Sequence, residues 1–66
     1  MAVVKVIEVL SESAKSWDDA TKVAIEKANN TVKNIKSAYV KDQSVSVSNG
    51  QITAYRVTLK ISFELE

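Results

Sequence analysis

The chain has 66 residues, nine of them basic and eight acidic, with a formal net charge of +1, and it contains neither Cys nor His. Disulfides, thiolate metal sites and the common zinc sites are therefore excluded. The balanced charge gives no basic field for nucleic acid, so we expect no nucleic-acid partner. A core built from fewer than about 70–80 residues rarely contributes more than about 3–5 kcal/mol of stability. We therefore expect one domain over residues 1–66 that is stabilised by oligomerisation.

The sequence shows no sign of membrane insertion or export. No run approaches the roughly 18 apolar residues of a membrane span, and no signal peptide is visible. We expect a cytoplasmic protein without a membrane partner.

The first predicted element is a strand over residues 3–10, which are rich in Val and Ile. Both sides of this strand are partly apolar, so the sequence does not determine which side faces the core. The polar residues 11–15 are predicted to connect it to the next element.

A helix is predicted from residue 17 to about residue 34, where apolar residues recur at helical spacing. Ser16 precedes it as a candidate N-cap, because its hydroxyl can accept a backbone N–H of the first turn. Asp18 and Asp19 follow at the positive end of the helix dipole. Trp17 lies on the apolar stripe, and we expect it in the core.

A long hairpin follows the helix. Residues 36–47 form the second predicted strand, and Asn49-Gly50 suits a type I′ turn. In residues 53–65 apolar and polar side chains alternate strictly, which predicts a third strand of roughly 43 Å. The register that follows from this turn has these pairs: Val47 with Ile52, Val45 with Ala54, Gln43 with Arg56, Val40 with Leu59, Ala38 with Ile61 and Ser37 with Ser62.

The directions of these elements predict an α+β fold. The order is β-α-β-β, and placing the longest strand in the middle gives a three-stranded antiparallel sheet of order 1-3-2 wrapped around one helix. A helix of about 18 residues is roughly 27 Å long, so it leaves roughly 16 Å of the third strand uncovered. We expect symmetric self-association to cover this strand and a second apolar patch, which faces away from the helix near the hairpin tip. That patch has four members: Val45, Val47, Ile52 and Ala54.

Residues 31–43 (TVKNIKSAYVKDQ) and 54–66 (AYRVTLKISFELE) resemble the dodecin family, and the likeness covers essentially the whole chain. The resemblance implies a hollow assembly of twelve subunits. It also implies non-catalytic storage or scavenging of flavins, such as riboflavin or FMN, in pockets between subunits. In flavin-binding members the position matching Ser37 is a Trp that stacks on the isoalloxazine ring, and the position matching Arg56 is a Gln that bonds the ring edge. This chain has neither residue.

Four ligand-binding residues are predicted, contributed by neighbouring copies: Ser37, Tyr39, Gln43 and Arg56. Tyr39 shares a strand face with Ser37 and can stack in place of the Trp. Arg56 can pair with a phosphate or with an anionic ring edge. Ser37 and Arg56 stand about 20 Å apart in this register, so one pocket must take them from different subunits. The simpler interpretations are packing for Tyr39 and an ion pair for Arg56.

Two other functions are possible, and both also assume a homo-oligomer. One is binding of calcium or magnesium through oxygen ligands, as described for some dodecin-like proteins without the Trp. The other is a purely structural assembly. Without His, Cys or a suitably spaced carboxylate pair, we expect no enzyme. The candidate metal ligands are Asp18, Asp19, Asp42, Glu64 and Glu66. Helix capping also explains Asp18 and Asp19.

Overall fold

The computed structural model describes residues 3–65, which form helix and strands in the predicted order. Strand β1 spans Val4–Ser13, helix α1 Trp17–Ala28, strand β2 Ile35–Ser48 and strand β3 Gln51–Glu64. The sheet has the order β1-β3-β2, and both outer strands run antiparallel to β3. These features confirm the α+β fold, the β-α-β-β order and the sheet order 1-3-2.

Helix α1 begins where the sequence predicts. The Ser16 hydroxyl accepts the backbone N–H of Asp19 at 2.9 Å, and Asp18 and Asp19 occupy the first turn. This cap satisfies one of the N–H groups that every helix start leaves without a partner. The two carboxylates stabilise the positive end of the helix dipole.

The helix ends at Ala28, well before its predicted end. Asn29 and Asn30 follow, and Asn is a weak helix former. The N–H groups of Thr31 and Val32 both bond to the carbonyl of Ala28, so the chain closes into a turn instead of continuing as a helix. The shorter helix leaves more of β3 uncovered than the sequence predicts.

Strand β1 is longer than predicted and runs to Ser13, opposite Tyr55. The Ser11 hydroxyl donates to the carbonyl of Ala20 at 2.7 Å, so part of the predicted connection is held against the helix. The open question of its facing is also answered, because Ile7 and Val9 pack against the core. The alternate residues point the other way: Val4, Val6, Glu8, Leu10 and Glu12.

The hairpin pairs as predicted at both of its ends. Asn49 and Gly50 form the turn with φ values of 52° and 74°. Positive φ at both central residues is what a type I′ turn requires. Four predicted pairs are confirmed: Val47 with Ile52, Val40 with Leu59, Ala38 with Ile61 and Ser37 with Ser62.

Between these ends the predicted register is wrong by one residue. Thr53 is an unpaired extra residue in β3, and Lys41 is an unpaired extra residue in β2 that restores the original pairing. Each is a β-bulge, and a shift of one residue moves a side chain to the other face of the sheet. Gln43 therefore pairs with Val57 and not with Arg56.

The same shift corrects the apolar pattern near the hairpin tip. Val45 pairs with Tyr55 and not with Ala54. Because Tyr55 contacts Trp17 of the helix, Val45 lies on the helix side of the sheet. Val47 follows Val45 by two residues on β2 and pairs with Ile52, so both lie on the helix side too. The predicted change of apolar face is therefore wrong for Val45, Val47 and Ile52, and it holds for Ala54, which stands opposite Ser46.

The core is small and lies between α1 and β3. Four side chains among residues 3–65 are fully buried, namely Ala20, Val57, Leu59 and Ile61. Partly buried residues surround them: Ile7, Val9, Trp17, Ala24, Ile25, Ala28 and Ile35. Trp17 is thus at the core, as predicted. Within the described residues no helix has the length and apolar character to cross a membrane.

Candidate functional site

The side of the sheet turned away from α1 carries no covering element within residues 3–65, and we name it the open face. Its side chains alternate along each strand with those that face the helix. Of the four predicted ligand-binding residues, Ser37, Tyr39 and Arg56 lie on the open face. Its other members are Val4, Val6, Glu8, Leu10 and Glu12 of β1, Lys41, Asp42, Ser44 and Ser46 of β2, and Ala54, Thr58, Lys60, Ser62 and Glu64 of β3.

Ser37 is held by its partner across the hairpin. The hydroxyls of Ser37 and Ser62 lie 2.5 Å apart, and Ser62 Oγ also lies 3.4 Å from the carbonyl oxygen of Ser37. Tyr39 lies two residues further along β2, opposite Lys60, and is 66% exposed. The serine pair is polar and has no π face, so Tyr39 supplies the aromatic surface at this end of the open face.

Arg56 makes a cross-strand ion pair. Its Nη2 donates to Glu12 Oε2 at 3.3 Å and lies 3.4 Å from Ser46 Oγ. Glu12 stands directly opposite Arg56 in the register of β1 with β3. The Nε of Arg56 is buried and has no hydrogen-bond partner among the described residues. The guanidinium is therefore anchored at one end, while Nη1 makes no hydrogen bond within residues 3–65.

One copy of the chain does not bring the predicted site residues together. Ser37 pairs with Ser62, which lies six residues along β3 from Arg56. At about 3.3 Å per residue these rows are roughly 20 Å apart, as predicted. Gln43 lies on the other face, beside Val57. A single pocket that holds Ser37 and Arg56 must therefore be formed by more than one copy.

A second ion pair lies on the open face. Lys41 Nζ is 3.5 Å from Glu8 Oε2, and Lys60 stands opposite Glu8 in the sheet. Neither Glu8 nor Glu12 is predicted from the sequence as a site residue. Both sides of β1 are partly apolar in sequence, and only the packing of Ile7 and Val9 against the core places the two carboxylates on the open face.

The predicted metal ligands do not form a metal centre within one copy. No group of three or more acidic side chains comes together among residues 3–65. Asp19 Oδ2 accepts the Ser13 hydroxyl at 2.6 Å, and Asp18 is exposed in the first helical turn. Asp42 and Glu64 lie on different strands, opposite Thr58 and Val4 respectively, and Glu66 lies outside the described residues.

A groove of about 440 Å³ runs between β1 and α1. None of the four predicted ligand-binding residues lines it. The residues that line it come from both elements: Val9, Leu10, Ser11 and Glu12 of β1, and Val23, Ala24, Lys27 and Ala28 of α1.

The chain matches the dodecin family model over residues 3–66. Calcium dodecin of Mycobacterium tuberculosis (strain ATCC 25618 / H37Rv) is 34% identical over 65 residues, which cover 98% of this chain and 92% of that protein. The solved structure of dodecin from Streptomyces coelicolor has a TM-score of 0.94 at 28% identity and is matched over 98% of this chain and 93% of its own. A crystal structure of the calcium-chelating immunodominant antigen calcium dodecin from Mycobacterium tuberculosis, which has a novel calcium-binding site, has a TM-score of 0.84 at 35% identity. That match covers 97% of this chain and 91% of that one.

The strand order, the single helix and the uncovered side of the sheet define a small α+β protein of one helix packed on one side of a three-stranded sheet. The family match spans nearly all of the sequence, and the solved dodecins share its fold. The chain belongs to the dodecin family, whose members are small binding proteins.

Proposed function

We propose that this chain is the subunit of a hollow homododecamer that holds a small ligand between subunits and catalyses no reaction. The exposed apolar side chains of the open face are the observation that carries this proposal. Val4, Val6 and Leu10 are 50%, 55% and 62% exposed, whereas four side chains are fully buried among residues 3–65. A small chain with so little core is stabilised when copies cover one another's apolar surface. The cytoplasmic location expected from the sequence stays a prediction.

The first candidate ligand is a flavin, riboflavin or FMN. Tyr39 offers an exposed ring for stacking, and Arg56 offers the free donors of Nη1 to a ring carbonyl or an anion. Stacking of a base-like ring on an aromatic side chain contributes about 1–3 kcal/mol. Ser37 contributes a hydroxyl in place of a stacking ring, so we expect weaker binding than a Trp at that position would give. In this proposal Gln43 contributes from a neighbouring copy, because it faces the other side of its own sheet.

The second candidate ligand is a divalent cation, calcium before magnesium. The relative that is 34% identical over 65 residues is a calcium dodecin, which favours this candidate. The chain offers only oxygen donors, and these suit calcium and magnesium. Asp42 and Glu64 carry the available carboxylates of β2 and β3, and a site built from them takes the same residues from several copies.

Light scattering and two titrations test these proposals. A mass near the 7.2 kDa of one chain at micromolar concentration would rule out the oligomer. For the flavin, the visible absorbance of the purified protein and quenching of riboflavin or FMN fluorescence are the readouts. For the cation, calorimetry with calcium and then magnesium is the readout. Fluorescence quenching without a heat of calcium binding supports flavin as the ligand. A heat of calcium binding without quenching supports the cation. If a stable oligomer gives neither signal, its role is purely structural.

A further inference from the structure

The tip of the β2–β3 hairpin, residues 45–54, extends beyond the rest of the chain. Strand β1 ends opposite Tyr55, where Trp17 at the start of the helix also makes contact. Within residues 3–65, the part of β3 before Tyr55 therefore pairs only with β2. The chain is accordingly elongated, with extents of 51, 19 and 13 Å. A two-stranded hairpin alone is marginally stable in water, so support from outside its own chain would stabilise the tip.

The side chains of the hairpin tip have the character of an interface. Val47 and Ile52, which pair on the helix side of the sheet, are 62% and 51% exposed. Residues 43–55 contain no charged side chain, although charged residues make up 26% of the chain. Exposed strands are commonly protected by charges, whereas the centre of a protein interface is depleted of them. The tip thus lacks the charges that keep a projecting hairpin in water.

The groove between β1 and α1 suits an uncharged apolar segment. Its volume of about 440 Å³ lies within the roughly 300–1,000 Å³ of sites that enclose apolar groups. Val9 and Val23 are among its walls, and its charged residues are Lys27 and Glu12, which is paired with Arg56. An uncharged segment in this groove brings no additional charge into a buried position.

The tip and the groove of one chain cannot meet. The groove lies beside β1, and β1 and β2 are on opposite sides of β3. Two copies can join them, and the contact is heterologous because the two surfaces differ. A single kind of contact between copies gives only a dimer, a ring or a filament. A hollow shell therefore needs a second kind besides the open face.

We infer that the hairpin tip of one copy docks in the β1–α1 groove of a neighbouring copy, with Val47 and Ile52 against Val23. This inference rests on the proposed homo-oligomer and assigns two surfaces to one of its contacts. The docked tip gains the support that its own chain does not give, and the groove gains an apolar occupant.

Cross-linking tests this contact, because the chain has no Cys and introduced thiols are the only ones present. The double variant Val23→Cys/Val47→Cys is treated, in its assembled state, with a short bis-maleimide. A head-to-tail contact links each tip to the next groove, so we expect a ladder of dimers, trimers and longer products on a denaturing gel. Val23→Cys alone and Val47→Cys alone should stay at the 7.2 kDa of one chain.

The matched control pairs Val47→Cys with Lys22→Cys. Lys22 is an exposed residue of the same helix and does not line the groove. This variant should give no ladder. Circular dichroism and light scattering establish that each variant is folded and has the wild-type mass before it is treated.

The outcomes separate this inference from the oligomer proposal. A ladder from Val23→Cys/Val47→Cys alone supports docking of the tip in the groove. An assembled protein that gives no ladder, dimers from Val47→Cys alone, or an equal ladder from the Lys22→Cys control overturns the contact and leaves the oligomer standing. A wild-type mass of one chain overturns the oligomer and the contact together.

Discussion

Trp17 and Ser44 join the first residue of the helix to an outer strand of the sheet. The indole Nε1 of Trp17 donates to the backbone carbonyl of Ser44 at 3.0 Å. The ring also meets Tyr55 edge to face, with centroids 5.2 Å apart and planes at 78°. Helix α1 packs mainly on β1 and β3, and this contact ties β2 to the helix as well. One side chain thus connects two parts of the chain that lie 27 residues apart.

Trp17→Phe tests the polar half of that contact. The ring stays against Tyr55, whereas the donor to Ser44 is lost and its carbonyl is left without this partner. We expect the free energy of unfolding to fall by about 1–2 kcal/mol, measured by urea denaturation at a fixed protein concentration. Trp17→Ala removes the ring as well and should cost about 3 kcal/mol or more. If Trp17→Phe unfolds at the wild-type urea concentration, the hydrogen bond contributes nothing.

The centre of β3 should be the part of the chain most sensitive to truncation. Leu59 and Ile61 are fully buried, so removal of their methyl groups leaves cavities. We expect Leu59→Ala to lower the unfolding free energy by about 2–5 kcal/mol and Ile61→Val by about 0.5–1.5 kcal/mol. Urea denaturation measures the unfolding free energy of both variants, and the loss should be larger for Leu59→Ala than for Ile61→Val. Equal losses from the two substitutions would show that the site relaxes around Leu59→Ala.

Gly50 should be replaceable only by residues that tolerate a left-handed backbone. Its φ is 74°, and a Cβ at this position would meet nothing within 4 Å. The cost of a side chain is therefore one of backbone conformation. We expect Gly50→Ala to lower stability by roughly 1 kcal/mol. Gly50→Asn is the matched control and should cost less, because Asn adopts this conformation more readily. The thermal unfolding midpoints of Gly50→Ala and Gly50→Asn are compared, and equal midpoints would contradict a cost that arises from the left-handed backbone conformation.

The fold could be predicted because its signals are local. The Ser16 cap and the Asn49-Gly50 turn each depend on a few adjacent residues, and the alternation of β3 identifies the central strand. The end of the helix could not be predicted from the sequence, because the apolar stripe continues past Ala28 into residues that form a turn. Helical spacing alone does not register the low helix propensity of two successive Asn residues.

The candidate site was less predictable because it depends on register. The bulges at Lys41 and Thr53 have no sequence mark comparable to a Gly or Pro, yet together they move Gln43 to the other face. The side of the sheet on which Glu12 lies depends on which side of β1 faces the helix, and the two sides of β1 are similarly apolar in sequence. Tertiary packing of Val9 beneath the helix decided that facing. That facing brings Glu12 opposite Arg56, where the two side chains form their ion pair.

The last prediction concerns assembly through the open face. Leu10 lies there between Glu8 and Glu12 along β1, and it is 62% exposed in the isolated chain. Leu10→Asp should cost the protomer little, because the side chain contacts water already. In an interface it would bury a third carboxylate beside two others, which opposes association through desolvation and like-charge repulsion. We therefore expect the variant to dissociate toward the 7.2 kDa mass of one chain with its circular dichroism spectrum retained.

The matched control for Leu10→Asp is Asn30→Asp, which adds the same charge to an exposed turn away from the open face. It should keep the wild-type mass in light scattering. If Leu10→Asp also keeps that mass, copies do not meet through this part of the open face. If both variants dissociate, the assembly responds to net charge and not to the position of Leu10. Only selective dissociation by Leu10→Asp ties the exposed apolar residues of β1 to the contact between copies.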